Sequence, residues 1–461
     1  MGRCFSILTS LFVLLFILAS SCKKDGAAPS YPAGSNENIN TWVLDSLKRY
    51  YYWNDALPAN PDISLDPKAF FSSVRHTRDR FSFILIPGDP STRTPAARDY
   101  GFECITAEER NTQRVIGIVT LVLQDSPASR AGLKRGDYIL KINGTVLSNA
   151  NAATLLNEAL IAGRFSLQLG HIQEDNTWQD DRLIEIGRGV IPDQRPLNRI
   201  IEYRNKKVGY LSIHDFPPGT AASITAALPG FRAAGISDLI LDLRYNSGGQ
   251  VTEAAGLCAL VAQGVSYDKA FITYRGNRNG GVRTESIGSA ATFDGTLNFN
   301  TILQHNLGLG RVYILSSGST ASAAEVVINN LKPFMQVILI GGKTRGKDEA
   351  SFRIFDARTP KLVEWEMHPI IYKLFNADGK GGYEEGITPD FQISELSALP
   401  LKPLGDVNDP LISSALSQMM GGVRSSSTRA VPATRDNLLI TNVISNSQTA
   451  RAESSIVLTH R

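Results

Sequence analysis

A serine and several lysines between Arg311 and Ser351 have the residue types needed to cleave an acyl bond. A serine hydroxyl is a poor nucleophile until a base removes its proton, and this stretch contains no histidine. A lysine amine acts as that base only when burial or a neighbouring cation lowers its pKa enough to leave it neutral. Ser322 is therefore the candidate nucleophile, and Lys347 and Lys343 are the candidate bases.

The elements that must position these groups follow one another as strand, turn, helix, strand and loop. Apolar runs at 312–315 and 337–340 predict two strands, and the helix-favouring segment 321–331 between them follows a turn of small residues. A glycine-rich loop then carries Lys347. We expect Ser322 in the first turn of the helix, where unpaired backbone N–H groups and the helix dipole stabilise a negative oxygen.

This block resembles the active-site region of the C-terminal processing peptidases, a serine peptidase family (S41) with a Ser-Lys dyad. In that family the nucleophile precedes a glutamate by three residues, and a Gly-Lys pair follows about 25 residues later. Ser322 precedes Glu325 by three, and Lys347, preceded by Gly346, lies 25 residues after Ser322, which favours Lys347 over Lys343. The same Ser-x-x-Glu spacing also forms a capping box, in which Ser322 would only cap the helix.

A second motif predicts where the oxyanion of the reaction would be held. The apolar run 238–244 is typical of a buried parallel strand, and an Asn-Ser-Gly-Gly turn follows it, as in the family's Asp-Leu-Arg-x-Asn-x-Gly-Gly motif. An oxyanion needs backbone N–H donors that no side chain obstructs. We assign these donors to Gly248 and Ala323, and we expect Asp242 and Arg244 to form an ion pair that positions the loop.

Beyond the lysine the resemblance is weaker. Many family members carry a glutamine four residues after the lysine to orient its amine; Ser351 occupies that place and is the predicted support. Two alternatives therefore stay open. One is a PDZ peptide-binding lipoprotein with impaired catalysis, and the other is a tricorn-like serine peptidase in which His214 or His368 approaches Ser322.

The segment 116–144 resembles a PDZ domain through its Ser-Pro-Ala, Ala-Gly-Leu, Gly-Asp and Asn-Gly pairs and triplets. PDZ domains add a peptide as an extra strand and bind its terminal carboxylate through backbone N–H groups. The resemblance places this peptide-binding loop at Tyr100, Gly101 and Phe102, with a helix over 152–162 as the other wall of the groove. Such a domain would recognise polypeptide substrates by their C-terminal tails or gate activity.

Composition excludes other classes of function. The net charge of +3 implies no nucleic-acid partner, and the apolar and charged fractions are ordinary for a globular protein. The four cysteines have no metal-ligand spacing, so we predict no metal site, and the dyad chemistry requires no cofactor.

The N-terminus predicts export. Residues 1–21 combine a positive charge, an apolar core and small residues, as in a signal peptide. The small-residue run that ends in Cys22 resembles the lipobox of bacterial lipoproteins, which implies a lipid on Cys22 and a flexible, lipid-anchored linker over 22–40. We therefore expect a membrane-anchored protein of the bacterial cell envelope that faces the periplasm or the cell exterior. Plain secretion is the alternative.

These segments predict a multi-domain α/β protein. A small N-terminal helical domain covers 41–90, a PDZ domain covers 98–190, and a serine peptidase domain of the ClpP/crotonase-like type covers 200–422. The polar tail at 423–461 is predicted to be disordered. We assign no chemistry to the aromatic N-terminal domain.

Overall fold

The computed structural model describes residues 31–89, 92, 96–109, 114–175, 177–421 and 438–439. The predicted signal peptide and the lipidation site Cys22 lie outside these residues. Within the described ranges, no helix combines the length and the apolar character needed to cross a membrane.

The N-terminal domain is built on two helices and a short strand. Helix α1 spans Asn36–Tyr50, helix α2 spans Pro67–Val74 and strand β1 spans Phe83–Leu85. The side chain of Ser35 caps α1, so this helix extends five residues into the predicted linker. The apolar faces of both helices meet in one buried aromatic cluster, which includes Phe70 and Phe81.

The predicted PDZ domain lies between the N-terminal domain and the predicted peptidase domain in the chain. Its sheet has the strand order β2-β3-β4-β6-β7, and helix α4 has the predicted bounds. Its elements are β2 (Phe102–Glu109), β3 (Val115–Val122), α3 (Pro127–Arg130), β4 (Tyr138–Ile142), β5 (Thr145–Val146), α4 (Ala152–Ala162), β6 (Arg164–Ile172) and β7 (Trp178–Gly187).

In the predicted peptidase domain the first strand, β8 (Leu197–Tyr203), begins three residues before the predicted boundary. Its helices are α5 (Thr220–Thr225), α6 (Leu228–Ala234), α7 (Val251–Val261), α8 (Ile287–Ala291), α9 (Phe299–His305), α10 (Ala323–Leu331) and α11 (Pro410–Met419). Its strands are β8 (Leu197–Tyr203), β9 (Lys206–Ser212), β10 (Asp238–Asp242), β11 (Ala270–Arg275), β12 (Val282–Ser286), β13 (Arg311–Ser316), β14 (Gln336–Gly341), β15 (Glu349–Ser351), β16 (Ile354–Phe355), β17 (Glu366–His368), β18 (Ile370–Asn376) and β19 (Phe391–Gln392).

The central sheet brings the two predicted active-site motifs to one edge. Its strand order is β19-β14-β13-β10-β9-β8. The five strands β9, β10, β13, β14 and β19 run parallel to one another. Leu241 and Ile314 face a core that includes α7 and α10, whereas Ile240 and Leu315 face α11 on the other side. Because β10 and β13 are parallel neighbours, the loops that follow them leave the sheet side by side.

There are two smaller sheets, and the second includes a strand of the N-terminal domain. One has the order β12-β11-β18-β15, and the other has the order β1-β17-β16. Strand β1 pairs antiparallel with β17, which places Ile84 opposite Met367. The N-terminal domain is thereby joined to the part of the chain that follows Lys347.

The described part of the C-terminal tail is one short strand, β20 (Leu438–Leu439). It pairs antiparallel with Glu108 and Glu109 at the free edge of β2. These two residues form a strand where the sequence predicts disorder, and the remainder of 423–461 lies outside the described residues.

Candidate active site

The turn after β13 presents Ser322 next to the loop after β10. The Thr320 hydroxyl donates to the Leu243 carbonyl at 2.8 Å, and the Ala321 N–H donates to the Asn246 carbonyl at 3.0 Å. Helix α10 begins at Ala323, so Ser322 precedes the helix by one residue and is not in its first turn as predicted. The backbone of Ser322 has φ = +62°, a conformation that costs a non-glycine residue free energy and is typical of functional sites.

The Ser322 side chain is fully buried, at 0% exposure. Its backbone N–H donates to Glu325 Oε2 at 2.8 Å, which is one half of a capping box. The other half is not made, because Oγ of Ser322 has no hydrogen-bond partner among the described residues. A buried hydroxyl without a partner costs about 1–3 kcal/mol. Helix capping alone therefore does not explain this serine.

Glu325 holds the serine and the lysine segments together. Its buried carboxylate accepts hydrogen bonds from the Thr344 hydroxyl at 2.5 Å, the Gly346 N–H at 2.7 Å and the Lys347 N–H at 2.8 Å. The Ser322 and Lys347 N–H groups share one oxygen, Oε2. The sequence indicated Glu325 only through its spacing from Ser322. Its signal as a clamp is a glutamate between the apolar residues Ala324 and Val326.

Lys347 is buried, at 1% exposure, whereas Lys343 is exposed. Burial lowers the pKa of the Lys347 amine to about 8, although the nearby carboxylates of Glu349, Asp79 and Glu325 act in the opposite direction. A lysine with this pKa is partly neutral near neutral pH and can accept a proton. Of the two predicted bases, Lys347 therefore has the required environment.

Glu349 is a buried charge beside Lys347 that sequence reasoning missed. Its Oε1 accepts a 2.6 Å hydrogen bond from Lys373, while Oε2 has no partner among the described residues. Burial raises the pKa of Glu349 to about 7. Ser351, the predicted support for the dyad, is buried at the end of β15, the same strand that begins at Glu349. The sequence signal for Glu349 was an acidic residue two positions after Lys347.

Gly248 lies directly against Ser322. Its φ is +111°, and a Cβ atom at this position would lie 2.6 Å from Cβ of Ser322. The Gly248 N–H donates to Oδ1 of Asn246 at 2.8 Å, so the predicted oxyanion donor has a side-chain partner in this structure. The second predicted donor, Ala323, is the first residue of α10, where helix N–H groups lack intrahelical partners.

Gly248→Ala is expected to lower cleavage by at least about 10²-fold, because the new methyl group would overlap Ser322 and a left-handed φ is strained for alanine. The measurement is the rate of polypeptide cleavage beside the melting temperature. Gly230→Ala is the matched control, since this exposed glycine of α6 has nothing within 4 Å of an added Cβ. Equal activity of the two variants would contradict the placement of Gly248.

Three segments of the chain match known sequence families. Residues 207–393 match "Peptidase family S41", residues 38–83 match "Peptidase S41 N-terminal domain", and residues 118–157 match "PDZ domain". Residues 207–393 therefore form a peptidase family S41 domain. The predicted family and the predicted α/β fold class with a PDZ domain are confirmed.

The relatives of this chain include two curated proteins and a crystal structure. The carboxy-terminal processing protease CtpA of Bacillus subtilis is 26% identical over 65% of this chain and 58% of its own length. The carboxyl-terminal-processing protease of a Picosynechococcus species is 25% identical over 62% and 61%, respectively. The chain thus spans about three fifths of each. A crystal structure described as an S41 protease from Bacteroides fragilis has 25% identity and a TM-score of 0.68, covering 86% of this chain and 99% of that one.

The S41 segment contains both Ser322 and Lys347, and the S41 N-terminal segment covers residues 38–83. Within the residues that the structure describes, no cluster of three or more His, Cys, Asp or Glu side chains could hold a metal ion.

A buried ion-pair network supports the Gly248 loop of the S41 domain. Arg244 donates to Asp242 at 3.0 Å and to Asp409 at 2.8 Å, which confirms the predicted ion pair and extends it to the start of α11. From the PDZ domain, Arg98 donates to the Tyr245 carbonyl at 3.3 Å and to Asp215 at 2.6 Å. The loop that carries Gly248 is therefore held from both domains.

Both candidate histidines have imidazoles whose pKa is lowered by burial. The His214 carbonyl accepts a hydrogen bond from Arg98, and burial lowers the pKa of the His214 imidazole to about 3. His368 stacks on Phe83 at 4.5 Å, and burial, followed by the charge of Lys347, lowers its pKa to about 4. Both imidazoles are weak bases compared with the Lys347 amine.

The predicted peptide-binding loop of the PDZ domain turns its side chains into that domain. The Tyr100 hydroxyl donates to the Leu160 carbonyl at 2.7 Å, and Phe102 is part of the same core. A side chain at Gly101 would overlap Ser126. Any contact of these three residues with a peptide would therefore be made through the backbone, as strand addition requires.

Proposed function

We propose that this chain is a serine endopeptidase of the C-terminal processing type, with Ser322 as nucleophile and Lys347 as base. The observation that carries the proposal is the shared hydrogen-bond acceptor Oε2 of Glu325, which fixes the Ser322 and Lys347 backbones next to each other. The unpaired Ser322 hydroxyl and the buried Lys347 amine support it, because both are costly for stability and useful for catalysis.

In the proposed reaction, neutral Lys347 takes the proton from Ser322 as Oγ attacks the carbonyl carbon of the substrate. The carbonyl oxygen becomes an oxyanion that accepts hydrogen bonds from the N–H groups of Gly248 and Ala323. The tetrahedral intermediate breaks its C–N bond, and protonated Lys347 gives the proton to the leaving amine. Water then attacks the acyl-enzyme, with Lys347 again as base, and releases the carboxylate product and free Ser322.

This reaction requires one hydrogen bond to form and another to be replaced. The Ser322 hydroxyl is not hydrogen-bonded to Lys347 in this structure, and the Gly248 N–H donates to Asn246. Catalytic hydrogen bonds are often long or misaligned without substrate and tighten when it binds. A bound substrate carbonyl would replace the Asn246 side-chain oxygen as the acceptor for Gly248.

The substrate class we propose is exported or unfolded polypeptide, recognised through its C-terminal tail. The names of the relatives and the PDZ domain support this class. Strand β2 follows the Tyr100 to Phe102 loop, so a peptide added along its edge would be bound through the backbone. We further propose a lipid on Cys22 as the anchor to the cell envelope, with Ser351 as a support for the Lys347 amine.

The pH dependence of cleavage tests the identity of the base. We expect kcat/KM for an unstructured polypeptide to rise with pH through an apparent pKa of about 8, because Lys347 is active only when neutral. Below that value each pH unit lowers the neutral fraction about tenfold. If His368 were the base, kcat/KM would instead reach its plateau above about pH 4. A plateau already complete at pH 6 would contradict the Ser-Lys dyad.

A further inference from the structure

A loop of the N-terminal domain covers the backbone that carries Lys347. Arg80 Nη2 donates to the carbonyl of Arg345 at 3.0 Å and to that of Gly346 at 3.1 Å. These are the two carbonyls immediately before Lys347, whose own N–H is held by Glu325. The lysine segment is therefore fixed on one side by the S41 domain and on the other by the N-terminal domain.

The neighbouring aromatic residue covers the amine itself. The ring centre of Phe81 lies 5.1 Å from Nζ of Lys347, and Phe81 is only 4% exposed. Asp79 fixes this loop, because its carboxylate accepts the Phe81 N–H at 3.0 Å and the Tyr51 hydroxyl at 2.7 Å. Ser82 then joins the loop to β18 by accepting the Ile370 N–H at 2.8 Å.

We propose that the N-terminal domain completes the catalytic site, with Phe81 as a positioning residue that excludes water from the Lys347 amine and Arg80 as the residue that fixes its backbone. This inference rests on the proposed function, since it takes Lys347 as the base. It gives a role in catalysis to a domain to which the sequence alone assigned no chemistry.

Phe81 acts on Lys347 in two opposite ways. Its apolar ring removes water, which favours the neutral amine, while the face of the ring attracts a cation and favours the charged one. The other charged groups around the amine are Glu349, Asp79 and Glu325, which favour its charged form, and Arg345, which disfavours it. His368 lies close enough to feel the charge of Lys347. The pKa of Lys347 is lowered overall and burial is the largest cause, so exclusion of water outweighs the nearby carboxylates at this amine.

The test is the pH profile of kcat/KM for two variants of the full chain on an unstructured polypeptide. Phe81→Ala admits water, so we expect the acid limb of its profile, the part where kcat/KM rises with pH, to move up by about one pH unit. Its kcat/KM at pH 7 should fall about tenfold and should recover at high pH. Phe81→Leu keeps an apolar cover, so its limb should stay at or slightly below the wild-type position. A Phe81→Ala limb at the wild-type position would overturn the role of Phe81.

Phe70→Ala is the control for a weakened N-terminal domain. Phe70 lies on α2, and its side chain is fully buried in the same aromatic cluster as Phe81. Its substitution should lower the melting temperature without moving the acid limb. An equal shift of the limb in Phe70→Ala and Phe81→Ala would mean that the domain acts only through general stability, and the specific role of Phe81 would be wrong.

Arg80→Ala tests the backbone contact with a variant that should fold, because Arg80 is exposed. We expect kcat to fall about five- to tenfold at unchanged KM, since misplacement of a catalytic group weakens turnover more than substrate binding. Arg78→Ala is the matched control: Arg78 is also exposed and pairs with Glu384 at 3.1 Å. Equal kcat values for the two variants would overturn the role of Arg80.

The proposed function and the proposed role of the N-terminal domain can be rejected separately. Activity retained by Lys347→Met would remove the proposed base and, with it, this inference. An inactive Lys347→Met variant combined with unaltered Phe81→Ala and Arg80→Ala kinetics would leave the proposed function intact and reject only the role of the N-terminal domain.

Discussion

Ser322→Ala is expected to reduce cleavage of an unstructured polypeptide by about 10⁴-fold or more, because no other group would attack the substrate carbonyl. The same substitution should leave the free energy of unfolding unchanged or raise it by up to about 1 kcal/mol. The reason is that the buried Ser322 hydroxyl has no hydrogen-bond partner among the described residues, so its removal breaks no hydrogen bond there. Loss of activity together with unchanged or increased stability is the signature of a residue kept for function.

Cleavage products detected by mass spectrometry and the midpoint of urea unfolding together measure this prediction. Ser319→Ala is the matched control, since Ser319 lies in the same turn three residues before Ser322, and its removal should preserve cleavage. Equal cleavage by wild type and Ser322→Ala would refute the nucleophile assignment. Absence of cleavage in both, with peptide binding retained, would favour the alternative of a PDZ peptide-binding lipoprotein with impaired catalysis.

The parts of this site that local sequence patterns encode were predictable. Strand β13 follows from its apolar run, and the Asn-Ser-Gly-Gly turn after β10 follows from its turn residues. Parallel pairing of these strands then brings Gly248 to Ser322, as the oxyanion-hole hypothesis requires. The strand and the turn each use residues close together in the chain, for which hydrophobic periodicity and turn chemistry are sufficient.

The remaining features depend on contacts between distant residues. Glu325 reaches residues 19 to 22 positions later, and Arg80 reaches residues 265 and 266 positions later. The positive φ of Ser322 is also imposed from outside its own turn, since Ala321 and Thr320 bond the loop after β10. No spacing in the sequence indicates such contacts, so the role of the N-terminal domain became visible only in the folded chain.

Lys347→Met is expected to reduce kcat by about 10³- to 10⁴-fold, because methionine fills a similar volume but cannot accept the Ser322 proton. It should also stabilise the protein. Burial lowers the pKa of Lys347 from 10.5 to about 8, so the folded state binds this proton less tightly than the unfolded state. At pH 7 that difference costs the wild type about 3 kcal/mol. Between pH 8 and 10.5 the cost disappears, since the unfolded lysine also loses its proton.

Urea unfolding of the wild type and Lys347→Met at pH 7 and at pH 10.5 therefore measures the buried amine independently of activity. The variant should be more stable at pH 7, and the difference should shrink towards the higher pH. Lys343→Met is the control, because this exposed lysine should affect neither kcat nor the pH dependence of stability. Wild-type cleavage by Lys347→Met, lost only when His368→Ala is added, would replace the Ser-Lys dyad with the histidine mechanism.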